Sequence, residues 1–135
     1  HTGALGAILG ARNNADDRLE QAITLPAGQT AMLRFWWHML TEEPDHPWDT
    51  LEVTIKPAGA AESIRLLRIT DGDVQGQWRE AVISLSAYAG QAVELSFRAE
   101  TDANQPTEFY VDDVSVQACD APVLSKRLRL PFIVR

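Results

Sequence analysis

Hydrophobic and polar residues alternate at every second position along most of this chain, which is the pattern of β-strands that bury one face. These runs are separated by turns rich in Pro, Gly and Asp at intervals of roughly 8–12 residues. No pattern typical of an amphipathic helix of three turns interrupts them. We therefore predict an all-β fold, an antiparallel two-sheet β-sandwich of the jelly-roll or immunoglobulin-like type, with strands near residues 17–25, 30–40, 51–56, 63–70, 78–85, 93–99 and 109–117.

The strand predicted at residues 30–40 is largely apolar on both faces. Trp37 lies on the face that the alternation assigns to the core. Trp36 lies on the opposite face, between Arg34 and His38. We expect this second face either to be partly covered or to line a groove.

The last predicted strand changes phase halfway along. Its apolar residues are odd-numbered up to Val111 and even-numbered from Val114 onward. Such a phase shift is the sequence trace of a β-bulge, which falls here on Asp112 and Asp113. Two adjacent carboxylates on a bulge are costly unless solvent or a cation compensates their charge.

Composition narrows the class of protein further. The 135 residues are 45% hydrophobic and 23% charged, which suits a single globular domain. A net charge of -7 disfavours nucleic acid as a partner and makes a cation a more natural one. No apolar run approaches the ~20 residues of a transmembrane helix, and the single cysteine, Cys119, excludes an internal disulfide.

Several segments, taken in order, resemble one class of domain. They resemble the galactose-binding-like and MAM-like jelly-roll modules, which are appended to secreted bacterial proteases of the immune inhibitor A type and include carbohydrate-binding modules. The most specific piece is L-S-A-Y-A-G-Q, followed by an alternating strand and then Y-V-D-D-V. The segments are Gly3–Gly10, Asn13–Gln21, Ile23–Gly28, Leu33–Trp37, Asp49–Val53, Leu85–Ala99 and Phe109–Val116.

This resemblance implies a two-sheet jelly roll over residues 1–117, no catalytic residues, and a structural calcium ion near the final strand. Modules of this class also have a strand before the segment that begins here at His1, and that strand can donate a calcium ligand. Without that strand, an open sheet edge would invite pairing with another chain.

The calcium ion implied by the resemblance is assigned to Asp112 and Asp113, joined by the carbonyl oxygen of Thr2. Ca²⁺ takes several oxygen ligands and mixes carboxylates with backbone carbonyls. Asp17, in the oxygen-rich stretch of residues 14–17, is a further candidate ligand. The alternative is that these aspartates cap turns and accept backbone hydrogen bonds.

Aromatic side chains are candidates for stacking on sugar rings, because they offer a large flat contact at small entropic cost. Trp37 and Trp78 are expected in the core, since tryptophans in β-sandwiches are usually buried there. Tyr88 and Tyr110 are further aromatic candidates. The expected ligand-binding residues combine aromatic, cationic and carboxylate groups: Trp36, Trp48, Arg34, His38 and Asp45.

We expect no catalytic activity. His38, His46, Asp49 and Ser84 can be combined into a triad on paper. However, the sequence contains neither a G-x-S-x-G nucleophile elbow nor an H-E-x-x-H zinc motif.

Residues 118–135 form a tail in which Lys126, Arg127 and Arg129 interleave with apolar residues. An exposed stretch of this kind is expected to pack against something. It could add an edge strand to the acidic sandwich, within the chain or between two chains, or it could anchor the protein at a surface. The alternative is a flexible terminus.

Together these observations predict a non-catalytic accessory domain of a secreted or surface bacterial protein, which recognises carbohydrate and holds a structural calcium ion. The alternative is an interaction or structural module without a sugar site. Such a module would bind an extracellular protein through a sheet edge or through the tail.

Overall fold

The computed structural model describes residues 6–44, 47–120, 124–129 and 133–134. Two expected ligands, Thr2 and Asp45, lie outside these ranges. A short 3₁₀ turn at Ser86–Tyr88 follows the sixth strand. The strands are β1 (Ala7–Gly10), β2 (Asp16–Thr24), β3 (Thr30–Thr41), β4 (Thr50–Pro57), β5 (Ile64–Thr70), β6 (Arg79–Ser84), β7 (Ala92–Glu100), β8 (Thr107–Asp120), β9 (Leu124–Arg129) and β10 (Ile133–Val134).

The strands of the described residues form two antiparallel sheets. Sheet A has the order β1-β8-β3-β6, with β9 also paired to β8, and sheet B has the order β10-β2-β7-β4-β5. From β1 to β8 the chain changes sheet at every step except the β4–β5 hairpin. This arrangement is that of a jelly roll, which confirms the predicted two-sheet β-sandwich.

The core lies between the two sheets and follows the predicted alternation. Trp37 is 9% exposed and points inward, as predicted. Phe35 of β3 meets Phe97 of β7 edge to face, with ring centroids 4.9 Å apart and an interplanar angle of 87°. The sheets are therefore joined by the inward side chains of their central strands, which include Leu33, Phe35, Met39, Leu51, Val53, Ile55, Leu95 and Phe97.

The predicted bulge is present in β8. In its pairing with β3 the register shifts, so that Asp113 and Val114 oppose the single residue Phe35. Asp113 has a left-handed φ of 51°, the conformation of the first residue in a G1-type bulge. Beyond β3, the other edge of β8 pairs with β1 as far as Val111 and with β9 from Ser115 onward. The bulge therefore lies between the ends of β1 and β9.

The C-terminal segment contributes one short strand to each sheet. β9 pairs with the second half of β8, where Val116 is opposite Leu128. β10 pairs with β2, where Ile133 is opposite Glu20. β8 itself continues to Asp120, past residue 117.

Candidate functional site

Large hydrophobic side chains remain exposed mainly on the outer face of sheet A. The alternation of β3 turns Trp37 inward and Trp36, His38 and Leu40 outward. The neighbouring strands follow the same phase, because they pair with β3 in register. A contiguous exposed apolar surface marks a binding site more often than chance. The exposed hydrophobic residues on this face are Ile8, Leu40, Trp78 and Val82.

A row of rings crosses this face at the level of His38. Tyr110 is the partner of His38 on β8, and their rings meet edge to face with centroids 5.4 Å apart. On the other side, the ring of Trp78 lies 5.4 Å from that of His38, at a tilt of 42°. We call Trp78, His38 and Tyr110 the aromatic row. Ile8, the partner of Tyr110 on β1, extends it to the far edge.

The expectation that Trp78 belongs to the core is wrong. Its side chain is 37% exposed and lies on the outer face. The physical reason is that Trp78 shares the phase of Glu80, which is opposite the outward-facing Trp36, and that it precedes β6, the edge strand of sheet A. Its residues alternate between exposed and half-buried, so neither face is fully covered.

Trp36 lies next to the aromatic row and is flanked by charged residues. It is half-buried, and its partners across the sheet are Glu80 on β6 and Asp112 on β8. Arg34, two positions earlier, donates a hydrogen bond to the Glu80 carboxylate at 3.2 Å. The structure thus brings three of the expected ligand-binding residues, Trp36, Arg34 and His38, onto one face.

Tyr110 also carries a polar contact at the end of the row. Its hydroxyl donates a hydrogen bond to the carboxylate of Glu108 on the same face. That hydrogen bond, together with burial and the negative charge of Glu108, raises the pKa of Tyr110 above its usual 10.0. The phenol therefore stays protonated, while the carboxylate keeps further lone pairs that can accept hydrogen bonds.

Trp48 lies in the loop between β3 and β4, not on the strands of sheet A. It is 61% exposed, and its backbone N–H donates to Oδ1 of Asp71 at 3.1 Å. Trp48 therefore belongs to the end of the sandwich. Its expected neighbour Asp45 lies outside the described residues.

Asp112 and Asp113, the expected calcium ligands, form the bulge. Asp112 is 7% exposed, and its Oδ1 accepts the backbone N–H of Asp113 at 2.7 Å. The backbone of Gly6 passes close by, since a Cβ there would lie 3.6 Å from Cγ of Asp112. Two acidic side chains at an irregular strand, where carbonyls leave the ladder, fit the oxygen ligands that Ca²⁺ takes.

Asp17 is engaged with an arginine instead. Both of its oxygens accept hydrogen bonds from Arg12 at 2.9 Å, and Oδ2 also accepts the N–H of Gly10 at 3.0 Å. The Arg12 hydrogen bond is the main cause that lowers the pKa of Asp17 below its usual 3.8. Asp17 contacts the backbone at Gly10, whereas Asp112 lies beside Gly6. These two glycines are four residues apart, or about 13 Å along an extended strand. Asp17 is therefore not brought to Asp112. Within the described ranges, no three His, Cys, Asp or Glu side chains converge as a metal-binding group.

His38 and Ser84 are not brought together in the structure. Ser84 is opposite Met32 on β3, six positions from His38, or about 20 Å along the strand. Asp49 lies directly before β4 and accepts the N–H of Asp102 at 2.8 Å. His46, the other histidine of the hypothetical triad, lies outside the described residues.

The outer face of sheet B differs sharply from that of sheet A. It carries ion pairs, among which Arg98 donates to both oxygens of Asp16 at 2.8 and 2.9 Å. Arg65 similarly contacts Glu52 at 3.3 Å. The side chains that line a groove of about 510 Å³ on this face are charged or small and polar. The aromatic surface is therefore a property of sheet A.

The family of the chain is shown by its sequence. Residues 10–120 match the model of the MAM domain, meprin/A5/mu. The match runs from the last residue of β1 to the end of β8, which is almost the whole jelly roll. The chain belongs to the MAM domain family.

Two similar proteins are the Pre-pro-metalloprotease PrtV of Vibrio cholerae serotype O1, strains M66-2 and ATCC 39315 / El Tor Inaba N16961. Each is 35% identical over 118 residues, which cover 78% of this chain and 12% of the relative. The chain thus spans a small part of the length of the curated relatives that it matches.

Among solved structures, the fold is similar to that of TmCBM61 in complex with beta-1,4-galactotriose. The TM-score is 0.59 at 16% identity, with 86% of this chain and 72% of that chain covered. At this level of identity the likeness shows the fold alone. In the part of the chain that the structure describes, no helix has the length and hydropathy needed to span a membrane.

Proposed function

We propose that this chain is a non-catalytic binding module that recognises carbohydrate on the outer face of sheet A. The observation that carries the proposal is the aromatic row, which lies partly exposed beside Trp36. Flat, amphipathic rings contact sugar rings over a large area at small entropic cost. Glu80, Glu108 and Arg34 surround the rings and offer hydrogen-bond acceptors and donors to hydroxyl groups.

The similar proteins suggest which ligand and which context to test first. Because the TmCBM61 structure contains beta-1,4-galactotriose, galactose-containing oligosaccharides are the first ligand class. The PrtV relatives are metalloproteases far longer than this chain. We infer that the module serves a larger secreted or surface protein and holds it near a glycan or protein substrate. Modest affinity per module would then be raised by effective concentration.

A structural calcium ion at Asp112 and Asp113 is part of this proposal. The bulge lies where β1 ends its pairing with β8 and β9 begins. An ion held there, with the carbonyl of Thr2 as a further ligand, would tie the start of the chain to the middle of β8. In that role it would stiffen the edge of sheet A next to Trp36.

The test is a glycan array followed by affinity electrophoresis in calcium-containing buffer, with wild type, Trp78→Ala and Trp36→Ala. We expect each substitution to weaken glycan binding at least tenfold. Trp48→Ala is the matched control, because it removes an exposed tryptophan from the loop and should leave binding unchanged. The absence of any glycan ligand for the wild type, or full binding by both variants, contradicts a sugar site on sheet A.

A protein partner is the second candidate, favoured by the aliphatic side chains that border the aromatic row. Ile8, Leu40 and Val82 are exposed, and apolar side chains of this kind populate the cores of protein interfaces. Val82→Ser separates the two functions. Val82 lies on the same face as Arg34, yet it offers no ring to a sugar. The substitution should therefore weaken binding to a protein partner and leave carbohydrate binding unchanged.

A further inference from the structure

Two buried carboxylates lie opposite each other at the end of the sandwich, apart from the aromatic row and the bulge. Asp49 precedes β4 and Asp71 follows β5, and the Asp71 N–H donates to the Asp49 carbonyl at 3.0 Å. They continue the pairing of β4 with β5, in which Leu51 is opposite Ile69. Their side chains therefore lie on the same face of the sheet as these two buried residues, which is the face toward the core. Side chains directly opposite on one face have Cβ atoms about 4.5–5.5 Å apart. Asp49 is 0% and Asp71 2% exposed.

One oxygen of each carboxylate holds a neighbouring loop. Oδ1 of Asp49 accepts the N–H of Asp102 at 2.8 Å, and Oδ1 of Asp71 accepts the N–H of Trp48 at 3.1 Å. The second oxygen of Asp49, Oδ2, is buried and has no hydrogen-bond partner among the described residues. A buried carboxylate oxygen without a hydrogen bond costs free energy. Where one is found, a bound ion or water usually contacts it.

Two other aspartates, at the start of β2, are compensated by arginines. Asp16 and Asp17 each contact an arginine, Arg98 and Arg12 respectively. Asp49 has no ion pair with any residue that the structure describes. A fully buried carboxylate is stabilised when it is paired or when it coordinates a metal.

We propose that Asp49 and Asp71 hold a hard divalent cation, such as Ca²⁺, at the end of the sandwich. The register places the two residues side by side where β4 begins and β5 ends, and Ca²⁺ completes its shell with backbone carbonyls and water. The cation compensates the buried charge of Asp49 and fastens to the sheet the loops that contain Trp48 and Asp102. This site is separate from the calcium proposed at Asp112, and it does not depend on carbohydrate binding.

The test uses Tb³⁺, which replaces Ca²⁺ at oxygen sites and emits when a nearby tryptophan is excited. Trp48 adjoins Asp49 in the chain, whereas Trp36 is opposite Asp112 in the sheet. We expect emission that Ca²⁺ competes away and whose Trp48-dependent part is lost both in Trp48→Phe and in Asp49→Asn. Trp36→Phe is the matched control, because it reports an ion at the bulge instead.

Thermal melts give a second readout. Millimolar Ca²⁺ should raise the Tm of Asp112→Asn, in which the bulge site is removed, but not that of the double variant Asp49→Asn/Asp112→Asn, since only a ligand of the folded state stabilises it. If Asp49→Asn does not melt cooperatively, the Trp48→Phe comparison decides. Emission that depends only on Trp36, Trp48-dependent emission retained in a folded Asp49→Asn, or no emission at all overturns the site.

Discussion

His38 and Trp78 pack their rings 5.4 Å apart on the outer face of sheet A. The contact follows from the pairing of β6 with β3, in which Glu80 is opposite Trp36. Trp78 lies two positions before Glu80, and the same antiparallel register places it opposite His38. β6 is an edge strand in the described part of sheet A, and the Trp78 side chain is 37% exposed. The same pairing therefore builds the aromatic row and keeps one end of it accessible.

The aromatic row should be dispensable for folding, whereas the core is not. Phe35→Ala removes a buried ring that contacts Phe97 and should lower the free energy of unfolding by about 3–5 kcal/mol. Trp78→Ala, at the edge of the sheet, should cost less than about 1.5 kcal/mol. Urea unfolding of the two variants checks this. A loss at Trp78 as large as that at Phe35 would show that the indole is structural and not available to a ligand.

Gly10→Ala should destabilise the fold more than Gly59→Ala. The two glycines have nearly the same left-handed φ, 81° and 80°, and alanine pays about 1–2 kcal/mol for that conformation. Only at Gly10 would the new Cβ overlap a backbone atom, the carbonyl oxygen of Thr107; at Gly59 nothing lies within 4 Å. Chemical unfolding should therefore show the larger loss at Gly10. Equal losses would mean that the start of β8 moves aside at little cost.

The Arg12–Asp17 pair should make stability fall in acid. The hydrogen bond from Arg12 lowers the pKa of Asp17 below 3.8, so the folded state prefers the carboxylate. The resulting stabilisation is present above the unfolded-state pKa and is lost as the pH falls through the lowered value. Asp17→Asn should therefore flatten the dependence of the unfolding free energy on pH below about 4.

Unfolding midpoints between pH 2 and 7 would measure this effect, with the exposed acid Glu62→Gln as the control. Because Arg12 is exposed, the contribution should also shrink in high salt. An acid limb that is the same in Asp17→Asn and wild type would show that the pair does not contribute.

Much of the fold could be predicted from the sequence, because most strands cover one face and therefore alternate. The bulge at Asp112 and Asp113 was predictable for the same reason, since one extra residue reverses the alternation. β1 was missed because its four residues, Ala7–Gly10, are too few to establish a period. The exposure of Trp78 was missed because its burial was expected from the usual place of tryptophan in β-sandwiches, whereas its phase puts it on the face of Glu80.

The candidate site was only partly predictable. Arg34, Trp36 and His38 share a face of β3 because they lie two residues apart, and this was visible in the sequence. Tyr110 and Trp78 join them through pairing between strands that are distant along the chain. Asp49 and Asp71 were missed as a pair, because each looks like an ordinary acid at a turn until the register places both inside.

The most direct test of carbohydrate recognition follows the four tryptophan indole N–H signals by NMR. They would be assigned with single Trp→Phe variants and titrated with beta-1,4-galactotriose, or with the glycan that the array selects. Binding on the outer face of sheet A predicts that the signals of Trp36 and Trp78 shift and saturate together, while those of Trp37 and Trp48 stay in place. Shifts confined to Trp48, or to backbone amides along the charged groove of sheet B, would contradict it.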